Sequence, residues 1–204
     1  MRQTARDWFS EAAPHCIRST STAAAMKVKP EPTDPKTGDF GCEKVLTLEA
    51  AMAIAQGKIV VEFETKSLEA GIATAKYLKE KGLYGSAYVQ CTLDECEPIR
   101  AAVPDVPIML RAKDPTDLDQ LAKYVPIAVE IDATPSWLEP GAVGKIHAAG
   151  AKVFTNGFLD ADIVAKGSGD LSGYLSLYDR GADAVQTEYG YWALLALGRL
   201  TSGK

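Results

Sequence analysis

The sequence predicts an α/β fold in which about six parallel strands alternate with helices. Two observations predict it. Short β-branched apolar runs recur every 20 to 30 residues from about Val45 onward, and an amphipathic helical pattern separates each run from the next. Parallel strands need crossovers of about a dozen residues or more, which these helices supply. The strands read as nearly uninterrupted apolar runs, as expected where both faces of a sheet are covered.

Six segments have the pattern of strands: Ile59–Glu64, Ser86–Gln90, Pro107–Leu110, Ile127–Ile131, Ala151–Thr155 and Ala182–Gln186. The intervening helices are predicted from N-cap residues and glycine stops. Their predicted ranges are Thr47–Gln56, Leu68–Lys81, Leu93–Ala102, Pro115–Lys123, Pro140–Ala149, Leu171–Asp179 and Tyr191–Leu200.

This pattern suits a (β/α) barrel or a doubly wound sheet about equally. No GxGxxG or GxxxxGK[ST] motif follows a strand, which removes the commonest nucleotide-binding doubly wound sheets and favours the barrel. A closed barrel has eight strands, so we expect an incomplete barrel with two open edges. A second copy of the chain, or the N-terminal segment, could cover those edges.

Residues 1–43 are expected to form an irregular leader, and residues 44–204 the barrel domain. The leader is rich in Ser, Thr, Pro, Lys and Asp and has no strand pattern. It has no apolar core of a secretion signal, and its faint similarity to a transit peptide is weakened by Asp7 and Glu11. The compartment is not fixed by the sequence, and we slightly favour the cytoplasm.

Composition narrows the classes of partner. The chain has 204 residues, of which 47% are hydrophobic and 24% charged, and no apolar stretch is long enough for a membrane span. A net charge of -5, with lysines scattered rather than grouped, argues against a nucleic-acid partner.

The four cysteines and two histidines do not follow a zinc-ligand pattern. Free, partly buried thiols are therefore expected at every cysteine: Cys16, Cys42, Cys91 and Cys96.

The strongest chemical signal is at the end of the first strand, where Glu64 and Lys66 are two positions apart. Alternate side chains of a strand share a face, so the carboxylate and the ammonium should emerge together at the strand's C-terminal end. Ligands bind at that end of parallel α/β folds. The alternative is a structural ion pair without a ligand.

Residues 47–66, TLEAAMAIAQGKIVVEFETK, resemble the segment of glycerophosphodiester phosphodiesterases in which a helix precedes a strand ending in E-x-K. The resemblance continues through DVPIMLRA, AVEID and KIHAAGAKVFTNGF to LSLYDRGADAVQTEYGYWALLAL, which is similar to the family's final G-[VA]-D-x-[IV]-x-T-D unit. It covers about Val45 to Leu200.

The resemblance implies a TIM barrel with a divalent metal, Ca²⁺ or Mg²⁺, that hydrolyses glycerophosphodiesters to sn-glycerol 3-phosphate and an alcohol. Glu64 matches a metal-ligand carboxylate, which suits a hard cation. Lys66 matches the catalytic lysine, whose ammonium can neutralise a phosphate oxygen.

Three further residues at strand ends are candidates for substrate binding. Arg111 could hold a phosphate with its planar fork, and pairing to Asp114 is the equally weighted alternative. Either Glu130 or Asp132 should face the barrel mouth, and we favour Glu130. Asn156 is placed where many family members have a tryptophan-containing stretch.

The chain also departs from the family. The His-Arg pair, the Glu-x-Asp metal pair and the His-Asp motif are absent, and Glu188 replaces an aspartate. His147 lies in a predicted helix, Trp137 and Trp192 are expected to pack, and the glycine-rich stretch 167–170 lies too far from a strand end to bind phosphate. We therefore expect the activity of this chain to be low or absent, and the alternative is a non-catalytic domain that binds phosphate esters or a partner chain.

Overall fold

The computed structural model describes residues 46–132 and 137–200, and the predicted leader lies outside these ranges. The chain divides into two units, Met1–Lys58 and Ile59–Lys204. The described part of the first contains helix α1, Leu48–Ala55, whose predicted N-cap is confirmed because Thr47 Oγ1 accepts a hydrogen bond from Ala50 N.

The second unit is a six-stranded parallel sheet with strand order β1-β2-β3-β4-β5-β6, curled into a half-barrel. The predicted incomplete barrel is thus confirmed. The strands are β1 (Val61–Glu64), β2 (Ala87–Cys91), β3 (Ile108–Arg111), β4 (Ala128–Ile131), β5 (Lys152–Asn156) and β6 (Ala184–Gln186).

Helices follow each strand and cover its outer face. They are α2 (Leu68–Glu80), α3 (Leu93–Ala102), a 3₁₀ helix (Pro115–Gln120) continued by α4 (Leu121–Tyr124), α5 (Pro140–Ala148), α6 (Ala161–Ser168), α7 (Ser172–Asp179) and α8 (Gly190–Ala196). In the described ranges, no helix combines the length and the apolar character needed to cross a membrane.

Helix α6 was not predicted. Its segment follows a glycine and contains Asp160, Asp162 and Gly167, which are poor helix formers. Tertiary packing overrides that weak propensity, since Ala161 and Ala165 are buried. A Cβ added to Gly173 of α7 would lie 3.1 Å from Ala161 Cα, so the two helices approach closely at these small residues.

The core lies between the sheet and its helices. Alternate strand residues on this outer face are fully buried, and a turn with positive φ at Gly181 leads into β6. A Cβ at Gly181 would lie 2.7 Å from Val143 Cγ1, so both the conformation and the space require glycine.

The expectation of free thiols is wrong for Cys91 and Cys96, which form a disulfide with Cα atoms 5.2 Å apart. Cys91 ends β2 and Cys96 lies in the first turn of α3, where the capping box of Thr92 and Glu95 turns the chain back on itself. This turn brings together two residues that no sequence motif marks as a pair. Cys16 and Cys42 lie outside the described residues.

Candidate functional site

The inner face of the half-barrel carries polar side chains toward the carboxyl ends of its strands. Residues paired in parallel strands point to the same side, so the register joins Glu62 with Tyr88 and Arg111 with Glu130 on one face. We call the carboxyl-end part of this face the mouth. It is where (β/α) barrels hold their ligands.

Glu64 and Lys66 lie at the β1 end of the mouth. Lys66 Nζ lies 2.5 Å from Glu64 Oε1, and their side chains are 82% and 46% exposed, respectively. The predicted shared side of the strand is thus observed as an ion pair. An exposed pair of this kind contributes little to stability. Because the two side chains are exposed, both charged groups are accessible to a ligand.

Glu62 and Tyr88 lie one pleat deeper and were not predicted. Tyr88 Oη donates to Glu62 Oε2 at 3.3 Å. Burial, with repulsion from Glu130 and Glu64, raises the pKa of Glu62. Burial and the carboxylate of Glu62 likewise raise the pKa of Tyr88.

Glu130 is the centre of the mouth, and it is only 3% exposed. Its carboxylate accepts hydrogen bonds from the amides of Gln90 and Asn156, the latter at 3.1 Å. Arg111 Nε lies 3.8 Å from Glu130 Oε1, and the Arg111 side chain remains 45% exposed.

The alternative partner of Arg111, Asp114, is not used. Asp114 Oδ1 instead accepts from Thr116 N at 2.9 Å and caps the 3₁₀ helix. Local hydrogen bonding of an Asp to the backbone two residues on competes with a side-chain ion pair.

Asp132 and Glu130 both lie on the inner side, which corrects the expectation that only one of them would. Two residues apart in an extended chain share a side. Asn156 Nδ2 donates to both carboxylates, at 3.1 Å to Glu130 and 3.3 Å to Asp132. Asn156 is 4% exposed, and its Oδ1 atom accepts no hydrogen bond within the described residues.

The β6 end of the mouth is held by a buried carboxylate that the sequence did not reveal. Asp162 of α6 is 4% exposed and accepts hydrogen bonds from Tyr174 Oη (2.6 Å), Thr187 Oγ1 (2.5 Å) and Glu188 N (2.8 Å). Burial and the bond to Asp162 raise the pKa of Tyr174 to about 12. Asp162 therefore fixes the backbone from which Glu188 projects.

Other residues singled out in the sequence lie away from this network. His147 of α5 lies 2.7 Å from Asp183, at the amino end of β6. Trp192 is half-buried and stacks on Tyr189 with ring centroids 4.3 Å apart, and Trp137 is half-buried. The glycine-rich stretch 167–170 forms the end of α6, where Gly169 is the C-cap.

A divalent cation at Glu64 does not find a complete set of ligands among the described residues. In residues 46–132 and 137–200, no three His, Cys, Asp or Glu side chains are grouped so that they could hold a metal ion. Hard cations need about six oxygen ligands or more. The Ca²⁺ or Mg²⁺ site therefore stays a prediction that depends on ligands beyond those described.

No family model matches the chain, and no curated protein sequence matches it. Solved structures do. A glycerophosphoryl diester phosphodiesterase from Parabacteroides distasonis ATCC 8503 aligns with TM-score 0.63 and 13% identity, over 79% of this chain and 58% of that one.

Two others are similar. A glycerophosphodiester phosphodiesterase from Agrobacterium tumefaciens str. C58 has TM-score 0.54 and 16% identity, over 76% of this chain and 62% of its own. A second Parabacteroides distasonis glycerophosphodiester phosphodiesterase has TM-score 0.52 and 14% identity, over 73% and 62%.

These alignments confirm the resemblance at the level of the fold. The chain spans about three-fifths of the length of each of these structures.

Proposed function

We propose that this chain is a glycerophosphodiester phosphodiesterase domain that handles its substrate at the mouth of the half-barrel. The observation that carries the proposal is the Glu64–Lys66 pair. It lies at a strand's carboxyl end in a fold shared with three structures that bear this activity in their names. Fold alone does not fix function, so the charged pair is the decisive element.

In this proposal Lys66 and Arg111 hold the phosphodiester. The Lys66 ammonium is largely exposed and lies near only one carboxylate oxygen within the described residues, so it can turn toward a phosphate oxygen. Arg111 approaches Glu130 only at 3.8 Å through Nε, and its exposed guanidinium has further N–H donors for a second oxygen. Both would neutralise charge that develops on the phosphoryl group.

Glu64 is the candidate metal ligand, and Ca²⁺ or Mg²⁺ the candidate cofactor. When bound, such an ion supplies positive charge to a phosphoryl oxygen. The described residues alone do not complete its coordination, so we assign no step of the reaction to it.

Among the described residues, no histidine lies at the mouth to act as general acid or base. His147 lies at the opposite end of the sheet. Loss of a general acid or base typically lowers a rate by about 10² to 10⁴. We therefore expect slow turnover by the chain.

The test measures release of sn-glycerol 3-phosphate from glycerophosphocholine, with Ca²⁺, with Mg²⁺ and with chelator. Lys66→Met should lower kcat/KM about 100-fold, as removal of one charge-stabilising group typically does. Glu64→Ala should remove any dependence on added metal. The matched control is Lys79→Met, because Lys79 forms an exposed ion pair with Asp105 at the other end of the sheet.

Turnover that is equal in the wild type and Lys66→Met would contradict the proposed role of the lysine. A folded chain that binds glycerophosphocholine without cleaving it would instead favour a non-catalytic domain that recognises phosphate esters. Binding is therefore measured by calorimetry on the same samples.

A further inference from the structure

A pocket opens at the amino end of the sheet, opposite the mouth. It lies between the carboxyl-terminal ends of α3 and α4, where the chain turns back toward β3 and β4, and its volume is about 460 Å³. Ligand sites in proteins usually have volumes of about 300 to 1,000 Å³. We call it the basal pocket, and its walls include the charged residues Glu97, Arg100 and Lys123 and the less polar residues Pro104, Tyr124 and Val125.

The basal pocket has one uncompensated positive charge. Lys123 Nζ lies 2.9 Å from Glu97 Oε2, so these two charges compensate each other. Arg100 differs, because no carboxylate among the described residues forms an ion pair with its guanidinium. Asp105, whose charge acts on Arg100 from a distance, instead pairs with Lys79 Nζ at 3.2 Å. The guanidinium therefore lacks an anion.

The Arg100 guanidinium also has spare hydrogen-bond donors. Nη1 donates to Pro104 O at 2.5 Å and Nη2 donates to Tyr124 O at 3.0 Å, which ties the two helix ends together. Three of the five N–H groups have no acceptor within the described residues. One of them, on Nε, is shielded from the pocket as well as from water, so the groups available to a ligand are the remaining N–H of Nη1 and that of Nη2. Burial lowers the pKa of Arg100, so water does not fully replace the missing anion.

Val125 gives a second, independent sign of a ligand at this pocket. Its φ of 44° and ψ of 56° lie in the left-handed region, and no other non-glycine residue among those described has a positive φ. Glycine or asparagine is usual at such a helix end, and a β-branched residue there is an outlier. Core packing does not account for it, because Val125 is 64% exposed and lines the pocket. Strained residues of this kind occur at ligand sites.

We propose that the basal pocket binds a small monocarboxylate with an apolar body, such as an arylalkanoate. The carboxylate pairs with Arg100 through the free Nη N–H groups, and the apolar body lies against Pro104 and Val125. One negative charge matches the single uncompensated cation, and the planar carboxylate matches the planar guanidinium. The pocket and the Glu64–Lys66 pair lie at opposite ends of the sheet, so this inference does not depend on the proposed function.

Two other classes of ligand match the pocket less well. A phosphate group with about two negative charges brings excess charge close to Glu97, which also lines the pocket. An uncharged aromatic molecule fills the space but leaves Arg100 without an anion. Only a monoanion with an apolar body supplies both the charge and the contact area.

The experiment titrates the isotope-labelled full chain with phenylpropionate and follows its backbone amide signals by NMR. Three comparison ligands are phenylpropanol, which lacks the carboxylate, acetate, which lacks the apolar body, and inorganic phosphate. Phenylpropionate should shift the signals of Ala101 and Val125, which line the pocket, with a Kd on the order of 1 mM for a ligand of this size. Each comparison ligand should bind at least about tenfold more weakly.

A matched pair of variants tests the charge at the pocket. Val125→Asp and Val125→Asn introduce side chains of equal size, and both residue types tolerate the left-handed conformation, so both variants should fold. The aspartate should weaken binding about fivefold or more relative to the asparagine, because it repels the ligand and competes for Arg100. The test therefore stands even if a variant of Arg100 fails to fold.

A second pair tests the guanidinium itself. Arg100→Gln should weaken binding about tenfold or more, because hydrogen bonds between charged groups are the stronger kind. Its matched control is Lys166→Gln, which removes the same charge at an exposed position of α6 and should retain the wild-type affinity.

Equal affinities of Val125→Asp and Val125→Asn would overturn the proposal, as would wild-type affinity in a folded Arg100→Gln. Phosphate that binds more tightly than phenylpropionate would overturn the class of ligand. Shifts confined to residues of the mouth, or no binding by the folded chain, would also overturn the proposal. All of these outcomes leave the proposed function untouched, because that function is tested separately by cleavage of glycerophosphocholine.

Discussion

The two ends of the parallel sheet treat buried charge in opposite ways. At the amino end, Asp183 accepts hydrogen bonds from Val153 N at 2.8 Å and from Lys152 at 3.0 Å, and it pairs with His147 at 2.7 Å. Burial alone would raise the pKa of Asp183, but these bonds outweigh it and lower the pKa to about 2.

At the centre of the mouth, by contrast, carboxylates lie near one another, and Glu62 has only the Tyr88 hydroxyl as a hydrogen-bond donor within the described residues. Burial and the charges of Glu130 and Glu64 raise the pKa of Glu62, and Asn156 Oδ1 has no donor within the described residues. At the amino end, hydrogen bonds and ion pairs stabilise the charged form of a carboxylate and therefore the fold. At the mouth, like charges and an unpaired buried oxygen oppose folding instead. Unsatisfied groups are typical of sites where a ligand completes the network.

The largest expected effect concerns the covalent link at the mouth. Replacing both Cys91 and Cys96 with alanine should lower the free energy of unfolding by about 2 to 3 kcal/mol. Loop closure over this short separation contributes about 2 kcal/mol, and both buried sulfur atoms are lost.

Urea unfolding with and without reductant measures this effect. Once reductant has opened the Cys91–Cys96 disulfide, the wild type should unfold at a lower urea concentration, and its difference from the double variant should become smaller. If reductant and the double substitution both leave the unfolding midpoint unchanged, the mouth owes its stability to non-covalent contacts alone.

The second effect tests the amino end. Asp183→Ala should lower the free energy of unfolding by about 2 kcal/mol, because the Val153 amide, Lys152 and His147 all lose their partner carboxylate. The matched control is Asp119→Ala, which breaks an exposed pair with Lys145 and should change stability by less than about 0.5 kcal/mol. If the two substitutions destabilised the chain equally, Asp183 would contribute no more to stability than an exposed ion pair does.

The third effect is the pH dependence of the same group. A carboxyl whose pKa is lower in the folded state than its usual value of 3.8 stabilises the fold when it is ionised. The contribution is therefore complete above about pH 4 and is lost as the pH falls toward about 2.

Screening by water at this partly exposed site limits the contribution to about 1 kcal/mol. Chemical unfolding from pH 5 down to pH 2 should show a steeper loss in the wild type than in Asp183→Asn. Parallel curves would show that another carboxyl controls acid stability.

The smallest effect has the opposite sign and belongs to the mouth. A raised carboxyl pKa means that ionisation disfavours the folded state, so stability falls as the pH rises through the titration of Glu62. Glu62→Gln should therefore stabilise the chain at pH 7 by about 0.5 kcal/mol, a small gain because Glu62 is only half-buried. Thermal unfolding at pH 7 measures it, and a lower Tm in the variant would contradict like-charge repulsion at the mouth.

The order and type of the strands were predictable because each is a compact apolar run between clear helix signals. Predicted strand ends differ from the observed ones by at most two residues, as for Ala182, where β6 begins at Ala184. The helix at Ala161–Ser168 escaped because its packing, not its residue preferences, makes it helical.

The site was predictable only where alternation along one strand sufficed, as for Glu64 and Lys66. The Glu62–Tyr88 pair depends on the register between β1 and β2, which no local pattern in the sequence specifies. The role of Asp162 could not be predicted because the residue lies in α6, the helix that the sequence did not reveal. Its wide separation from Thr187 and Glu188 in the chain also hid their hydrogen bonds.

The sheet follows the chain without any change of order, since each strand pairs with the next one in the sequence. Each new strand-helix unit emerging from the ribosome can therefore dock on the unit just completed, without waiting for a distant segment. Contacts of this short range close small loops and favour rapid, stepwise assembly during synthesis. The architecture of this chain is thus suited to folding in the direction in which it is made.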